Sequence, residues 1–114
     1  MLKYIKIKLQ VEGLHSWPEA AMVFPDVAFL SYPHRHIFHI ALTKQVTHND
    51  RDIEIIRFKR EILSYLKEKY SNGEQYLDFG RRSCEDIAEE LLTQFNLNTV
   101  EVLEDNENGA ILTR

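Results

Sequence analysis

Residues 5–12, "IKIKLQVE", alternate apolar and polar side chains without interruption, the period of a β-strand with one face buried and the other in water. Gly13 ends the run. Residues 14–33, "LHSWPEAAMVFPDVAFLSYP", then hold all three prolines of the chain and read as a loop. Loops of this length in small domains tend to be lids or rims of functional sites.

"RHIFHIALTKQVTH" reads as a second strand, with His34, His36, Phe38, Ile40 and Leu42 on one face. The pairs "ND" and "RD", residues 49–52, close it and offer helix N-caps. From there the period lengthens. Ile55, Phe58, Ile62, Leu63 and Leu66 recur at three and four residues, which predicts an amphipathic helix to Tyr70, stopped by "SNG" at 71–73. Ser83 and Asp86 form a capping box for a second helix with the stripe Ile87, Ala88, Leu91, Leu92 and Phe95, ended by "NLN". "TVEVLEDNENGAILT" closes the chain as a hairpin turning at Asn108-Gly109.

The reading is an α+β fold, β-β-α-α-β-β, with an antiparallel sheet and two helices packed on one of its faces. At 114 residues the chain forms one domain, residues 1–114. Its 44% hydrophobic and 28% charged residues exclude extensive disorder. A net charge of −4, with no Lys/Arg run beyond two residues, argues against nucleic acid as a partner. No stretch is apolar enough for a membrane partner, the N-terminus lacks a signal-peptide core, and the single cysteine suits a reducing compartment, so the expected location is the cytoplasm.

Chemistry concentrates in a few places. Residues two apart on a strand point the same way, so His34 and His36 offer two imidazoles to one ion, and His15 supplies a third if the first two strands pair. Three histidines with an open fourth position describe a catalytic zinc site; the bland alternative is a set of partly exposed hydrogen-bonding histidines. His39 points to the opposite face. Glu104 ends the apolar face of Val100 and Val102 with a carboxylate that needs a partner or a ligand, unless it is a solvated strand end. Arg81, Arg82 and Ser83 precede a helix N-terminus and read either as an anion site or as solvated surface. Cys84, in the first turn of that helix, is given no catalytic role, and the apolar residues Trp17, Phe24, Phe29 and Leu30 read either as a pocket roof or as contact residues.

Taken in order, these markers resemble the 6-pyruvoyl- and 6-carboxy-tetrahydropterin synthase family, which has the tunnelling fold. His15 stands where that family has its first zinc histidine, and His34-Arg35-His36 where it has H-G-H. "DIEIIRFK" is similar to "MVxDFxxLK", with Glu54 in the aspartate's place. "LDF", residues 77–79, is similar to "LDH", "SCEDIAEEL" to "TxENxAxxL", and "VEVLED" to the strand whose glutamate anchors the pterin ring, here Glu104. The resemblance implies Zn2+ held by His15, His34 and His36, a pterin or purine-like ligand, and a homo-oligomeric barrel with pockets at subunit interfaces. Departures bear on turnover. The family's cysteine base falls on Leu30, its "LDH" histidine on Phe79, and no acid between Asp26 and His34 replaces the cysteine, while Asp78 remains as a proton carrier. Two readings follow: an enzyme with altered proton-transfer groups, or a binding protein that holds a small heterocycle or nucleotide with Glu104 on the base and Arg81, Arg82 or Arg35 on a phosphate.

Overall fold

The structure, a computed structural model, describes residues 1–114. Two long strands carry the fold, β1 (Lys3–His15) and β2 (His34–Val46), paired antiparallel from Lys3↔Val46 to His15↔His34. Strand β4 (Thr99–Glu104) pairs with β2, and β5 (Asn108–Thr113) with β4, both antiparallel. A two-residue strand, β3 (Leu77–Asp78), lies parallel to β1 at Gly13 and Leu14, so the five-stranded sheet β3-β1-β2-β4-β5 is mixed rather than purely antiparallel.

β1 does not stop at Gly13. A Cβ at residue 13 would stand 2.7 Å from Cε2 of Phe79 and 3.2 Å from Phe38, so glycine is needed where an aromatic ring lies against the strand, and the pairing continues to His15. The segment read as a loop contains α1 (Ala20–Val23) and a kinked 3₁₀ stretch over Pro25–Ser31, both too short to show a period in the sequence.

Helices α2 (Ile55–Tyr70) and α3 (Cys84–Gln94) cover one face of the sheet. α2 buries Phe58, Ile62, Leu66 and Tyr70, while Ile55, counted above in the stripe, is exposed. Its N-cap is Glu54, whose carboxylate accepts from Ile56 N and Arg57 N; Asp52, an expected cap, is drawn away by the backbone N–H and hydroxyl of Thr47. The Ser83–Asp86 capping box on α3 is present, and Asn96 ends that helix at φ +51° with Leu97 N bonding back to Leu92 O, the Schellman arrangement. Ile40, Leu42, Ile62, Leu91 and Leu97 are among the fully buried side chains, each contributing roughly 1.5–3 kcal/mol. No helix is long and apolar enough to cross a membrane.

The last hairpin does not turn at Asn108-Gly109. Asp105 and Asn106 take the left-handed conformations (φ +53° and +60°), and Glu107 N bonds to Glu104 O. Asn108 already pairs with Glu104. Gly109 is required for another reason: a Cβ there would overlap the Val102 carbonyl and approach Leu103 Cα to 2.8 Å.

Candidate metal centre

The core face of the sheet is written in strand parity. Ile7, Leu9 and Val11 of β1, Phe38, Ile40 and Leu42 of β2, and Val100 and Val102 of β4 point into the apolar core. Farther along each strand, the same rows become Gly13 followed by His15, His36 followed by His34, and Glu104. Registers Gly13↔His36, His15↔His34 and Phe38↔Glu104 bring these row ends to one corner of the sheet. One ligand atom from each of His15, His34, His36 and Glu104 lies within 4.8 Å of all the others. His39, of the opposite parity, is not in the cluster.

Each imidazole is fixed from behind by its Nδ1. His15 donates to the Arg82 carbonyl at 2.9 Å, His34 to the Tyr32 carbonyl at 2.8 Å, and His36 to Asp105 Oδ2 at 2.7 Å. A carbonyl only accepts, so each Nδ1 facing one carries the proton and the corresponding Nε2 is left as a lone pair; the Asp105 carboxylate sets His36 in the same way. His15 Nε2 and His36 Nε2 are buried and have no hydrogen-bond partner. Yet Glu104 Oε2 is 2.8 Å from His15 Nε2, and Glu104 Oε1 is 3.6 Å from His36 Nε2. With the proton on Nδ1, the 2.8 Å contact sets two acceptors against each other, which requires a positive charge between or on them: a second proton on His15 or a metal cation. Two orphaned nitrogens, a third imidazole and a carboxylate in one corner fit a divalent ion, and the set could hold one.

The electrostatics agree. Burial pulls the His15 pKa down, but the Glu104 carboxylate and the Arg82 carbonyl outweigh it and leave it above its ordinary value. Glu104 is held low by its contact with His15, against burial, with His36 adding to the effect. Asp105 is held low by His36 and by Ile37 N, which bonds its other carboxylate oxygen at 3.0 Å. Sequence reasoning missed Asp105. Its signal was its place directly after Glu104, hidden once the turn was assigned to Asn108-Gly109.

A cleft of about 420 Å³ opens over the cluster, with His15, His34, Glu104, Trp17, Leu30 and Arg81 in its wall. Of the roof candidates, Trp17 and Leu30 line it, whereas Phe24 packs against Trp17 at its exposed side and Phe29 is 67% exposed. The residues expected to bind an anion reach the cleft but are engaged. Arg81 is paired with Glu19, the Arg82 guanidinium lies 4.9 Å over the Tyr70 ring, and the Ser83 hydroxyl accepts from Asp86 N. Arg35, on the opposite face, pairs with Glu12 at 3.1 Å.

Asp78, expected to move a proton, stands apart from the cluster. It is exposed, and its Oδ1 accepts from Gly80 N at 2.9 Å, because Leu77 and Phe79 on either side take the buried positions. Cys84 is buried beside Glu104, its thiol donating to Oε2 at 3.7 Å. Burial and the adjacent carboxylate push its pKa up to about 12, which overrides the helix N-terminus and keeps it a thiol. His48 is exposed and accepts from Asp50 N.

No protein-family model matches the chain. No curated protein matches it. Among solved structures, the chain is similar to the crystal structure of an uncharacterized protein from Wolinella succinogenes, with a TM-score of 0.64 and 16% identity over 100% of this chain and 99% of that one. At that identity the likeness concerns the α+β fold alone.

Proposed function

We propose that the protein is a zinc-binding member of the 6-pyruvoyl- and 6-carboxy-tetrahydropterin synthase type, with the tunnelling fold, and that it takes a pterin or purine-like heterocycle into the cleft over the metal. One observation carries this reading: three imidazoles, each tied down through Nδ1, turn toward one corner beside the Glu104 carboxylate, where His36 Nε2 is buried without a hydrogen-bond partner. Three imidazole nitrogens, from His15, His34 and His36, suit Zn2+ with its fourth position open. Bound there, the ion would polarise an oxygen of the ligand or activate a water.

The chain's own residues supply the rest. Trp17 and Leu30 give the cleft an apolar wall for a flat ring. Glu104, with its carboxylate ionised and partly exposed, accepts from the amidine-like edge of the heterocycle. Asn108 and Gly109 of the edge strand β5 also border the cleft, so a neighbouring subunit that added a strand there would wall it. Most of the outer edge of β1 is open too, since β3 covers only Gly13 and Leu14. Open edges at both sides of a sheet favour closure into a homo-oligomeric barrel.

A second reading, a binding protein without turnover, is favoured by the two positions where the resemblance expects proton carriers. Leu30 lines the cleft with an alkyl chain, and Phe79 is fully buried in the core against Phe38 and Tyr70. In that case Glu104 grips the base and Arg81, released from Glu19, meets a phosphate.

The test is metal analysis of untagged protein followed by thermal shift. Near-stoichiometric zinc, lost in the double variant His34→Ala, His36→Ala, is expected, together with stabilisation by neopterin, dihydroneopterin triphosphate or a guanine nucleotide that disappears in Glu104→Ala. Unchanged metal content in the double variant sinks the metal site, and no shift with any of these compounds sinks the heterocycle. Mass spectrometry of the compound after incubation separates the readings: a changed mass means turnover.

A further inference from the structure

Glu90 lies outside the cleft, on the side of α3 that faces α2, and its carboxylate gathers three close donors and, farther off, one guanidinium. Tyr65 Oη donates to Oε2 at 2.7 Å, Lys69 Nζ approaches the same oxygen at 2.9 Å, the Tyr70 hydroxyl donates to Oε1, and Arg82 Nε stands 3.8 Å from Oε1. Three of the donors come from the C-terminal half of α2. The fourth comes from the turn between β3 and α3, so one carboxylate ties two elements to a single loop.

That loop matters because of its main chain. The carbonyl of Arg82 is the acceptor that holds His15 Nδ1. The carbonyl fixes the ring through Nδ1–H so that Nε2 points into the metal corner; with the acceptor displaced, the ring loses both that orientation and the bond that keeps the proton on Nδ1. The loop contains Gly80 at φ +62°, a conformationally permissive residue two positions before the carbonyl. The loop is held by Ser16 N on the Gly80 carbonyl, Asp78 on Gly80 N, Arg81 on Glu19 and the Ser83–Asp86 capping box. Residue 82 itself is held by its side chain, which stacks on Tyr70 at 4.9 Å, donates from Nη1 to the Phe79 carbonyl at 3.2 Å, and faces Glu90.

We propose that Glu90 and Arg82 are positioning residues for the metal centre: by clamping the turn at residues 80–83 to α2 and α3, they hold the carbonyl that fixes the His15 ring through Nδ1–H. The inference rests on the metal reading for its consequence in affinity. The bond from His15 Nδ1–H to the Arg82 carbonyl is a property of the chain and is measured without metal.

The experiment compares wild type with Glu90→Gln and with Arg82→Lys, a change at a partly exposed position that keeps the charge but loses the planar stack. Zinc affinity is read by competition with a chelating indicator, and the His15 Nδ1–H bond to the Arg82 carbonyl by nitrogen-15 spectra of the imidazoles in stripped protein. Both variants are expected to bind zinc about tenfold more weakly, as outer-shell changes commonly do. His15 is expected to lose the signal of an Nδ1–H bonded to the Arg82 carbonyl, with or without a second proton on Nε2 facing Glu104, while His34 and His36 keep their Nδ1 bonds. A purely structural role would lower the melting temperature and leave the His15 pattern alone. A wild-type His15 pattern in both variants therefore overturns the proposal. Failure of the wild type to bind zinc would overturn the metal reading, and the His15 spectra of stripped protein would still decide this one.

Discussion

Glu104 and Asp105 are consecutive acids with different tasks. Glu104 faces the imidazole nitrogens directly, whereas Asp105 sits in the turn and uses both oxygens, Oδ2 on His36 Nδ1 and Oδ1 on Ile37 N. An asparagine in its place has one acceptor oxygen for two donors, and its amide N–H groups would meet a donor at the other position. Asp105→Asn is therefore expected to weaken zinc binding about tenfold, by freeing the His36 ring to turn, with little effect on the fold at this exposed turn. Chelator competition measures it. A wild-type affinity would show that the turn, and not the carboxylate, orients His36. The histidines themselves were legible from strand parity, which depends only on counting by two. Asp105 was not, because its role depends on which residues take the left-handed turn, and Asn-Gly is the stronger local signal for that.

At the scale of the elements, the regular pieces were readable because each carries a period: two in β1 and β2, and three to four in α2 and α3. α1, the 3₁₀ stretch and β3 are shorter than a period can be recognised. Gly13 is the instructive residue. It reads as a strand end, yet it is where β1 makes room for Phe79, and the two residues beyond it carry His15 to the metal corner. Gly13→Ala is expected to destabilise the protein by about 1–3 kcal/mol through overpacking. Phe79→Leu in the same chain should recover part of that loss, since it removes the ring atom 2.7 Å from the new methyl. Urea unfolding of the single and double variants reads the coupling. Strictly additive effects would mean that the glycine is needed for backbone freedom and not for the ring.

For the whole molecule, acid should act in two separable steps. Imidazole ligands bind a metal only when unprotonated, so a zinc ion held by this cluster would be released as the pH falls. The fold responds through its carboxylates. Glu54 is held below its ordinary value of 4.5 by Arg57 N and Ile56 N at the start of α2, Asp52 below 3.8 by Thr47, and Glu19 below 4.5 by Arg81. At Glu90, burial pushes upward, but Tyr70, Lys69 and Tyr65 together outweigh it and the net shift is downward. A group whose folded pKa is depressed adds stability above its unfolded pKa and loses it as the pH falls through the folded value. These contributions are thus complete above about pH 4.5 and decline below it. Zinc-loaded protein should show one fall in melting temperature that tracks metal release and a second below about pH 4.5. Stripped protein should keep the second and lack the first. An acid profile that is the same with and without zinc would mean that the metal corner contributes nothing to the stability of the fold, and that His15, buried at the end of β1, is held by its protein partners alone.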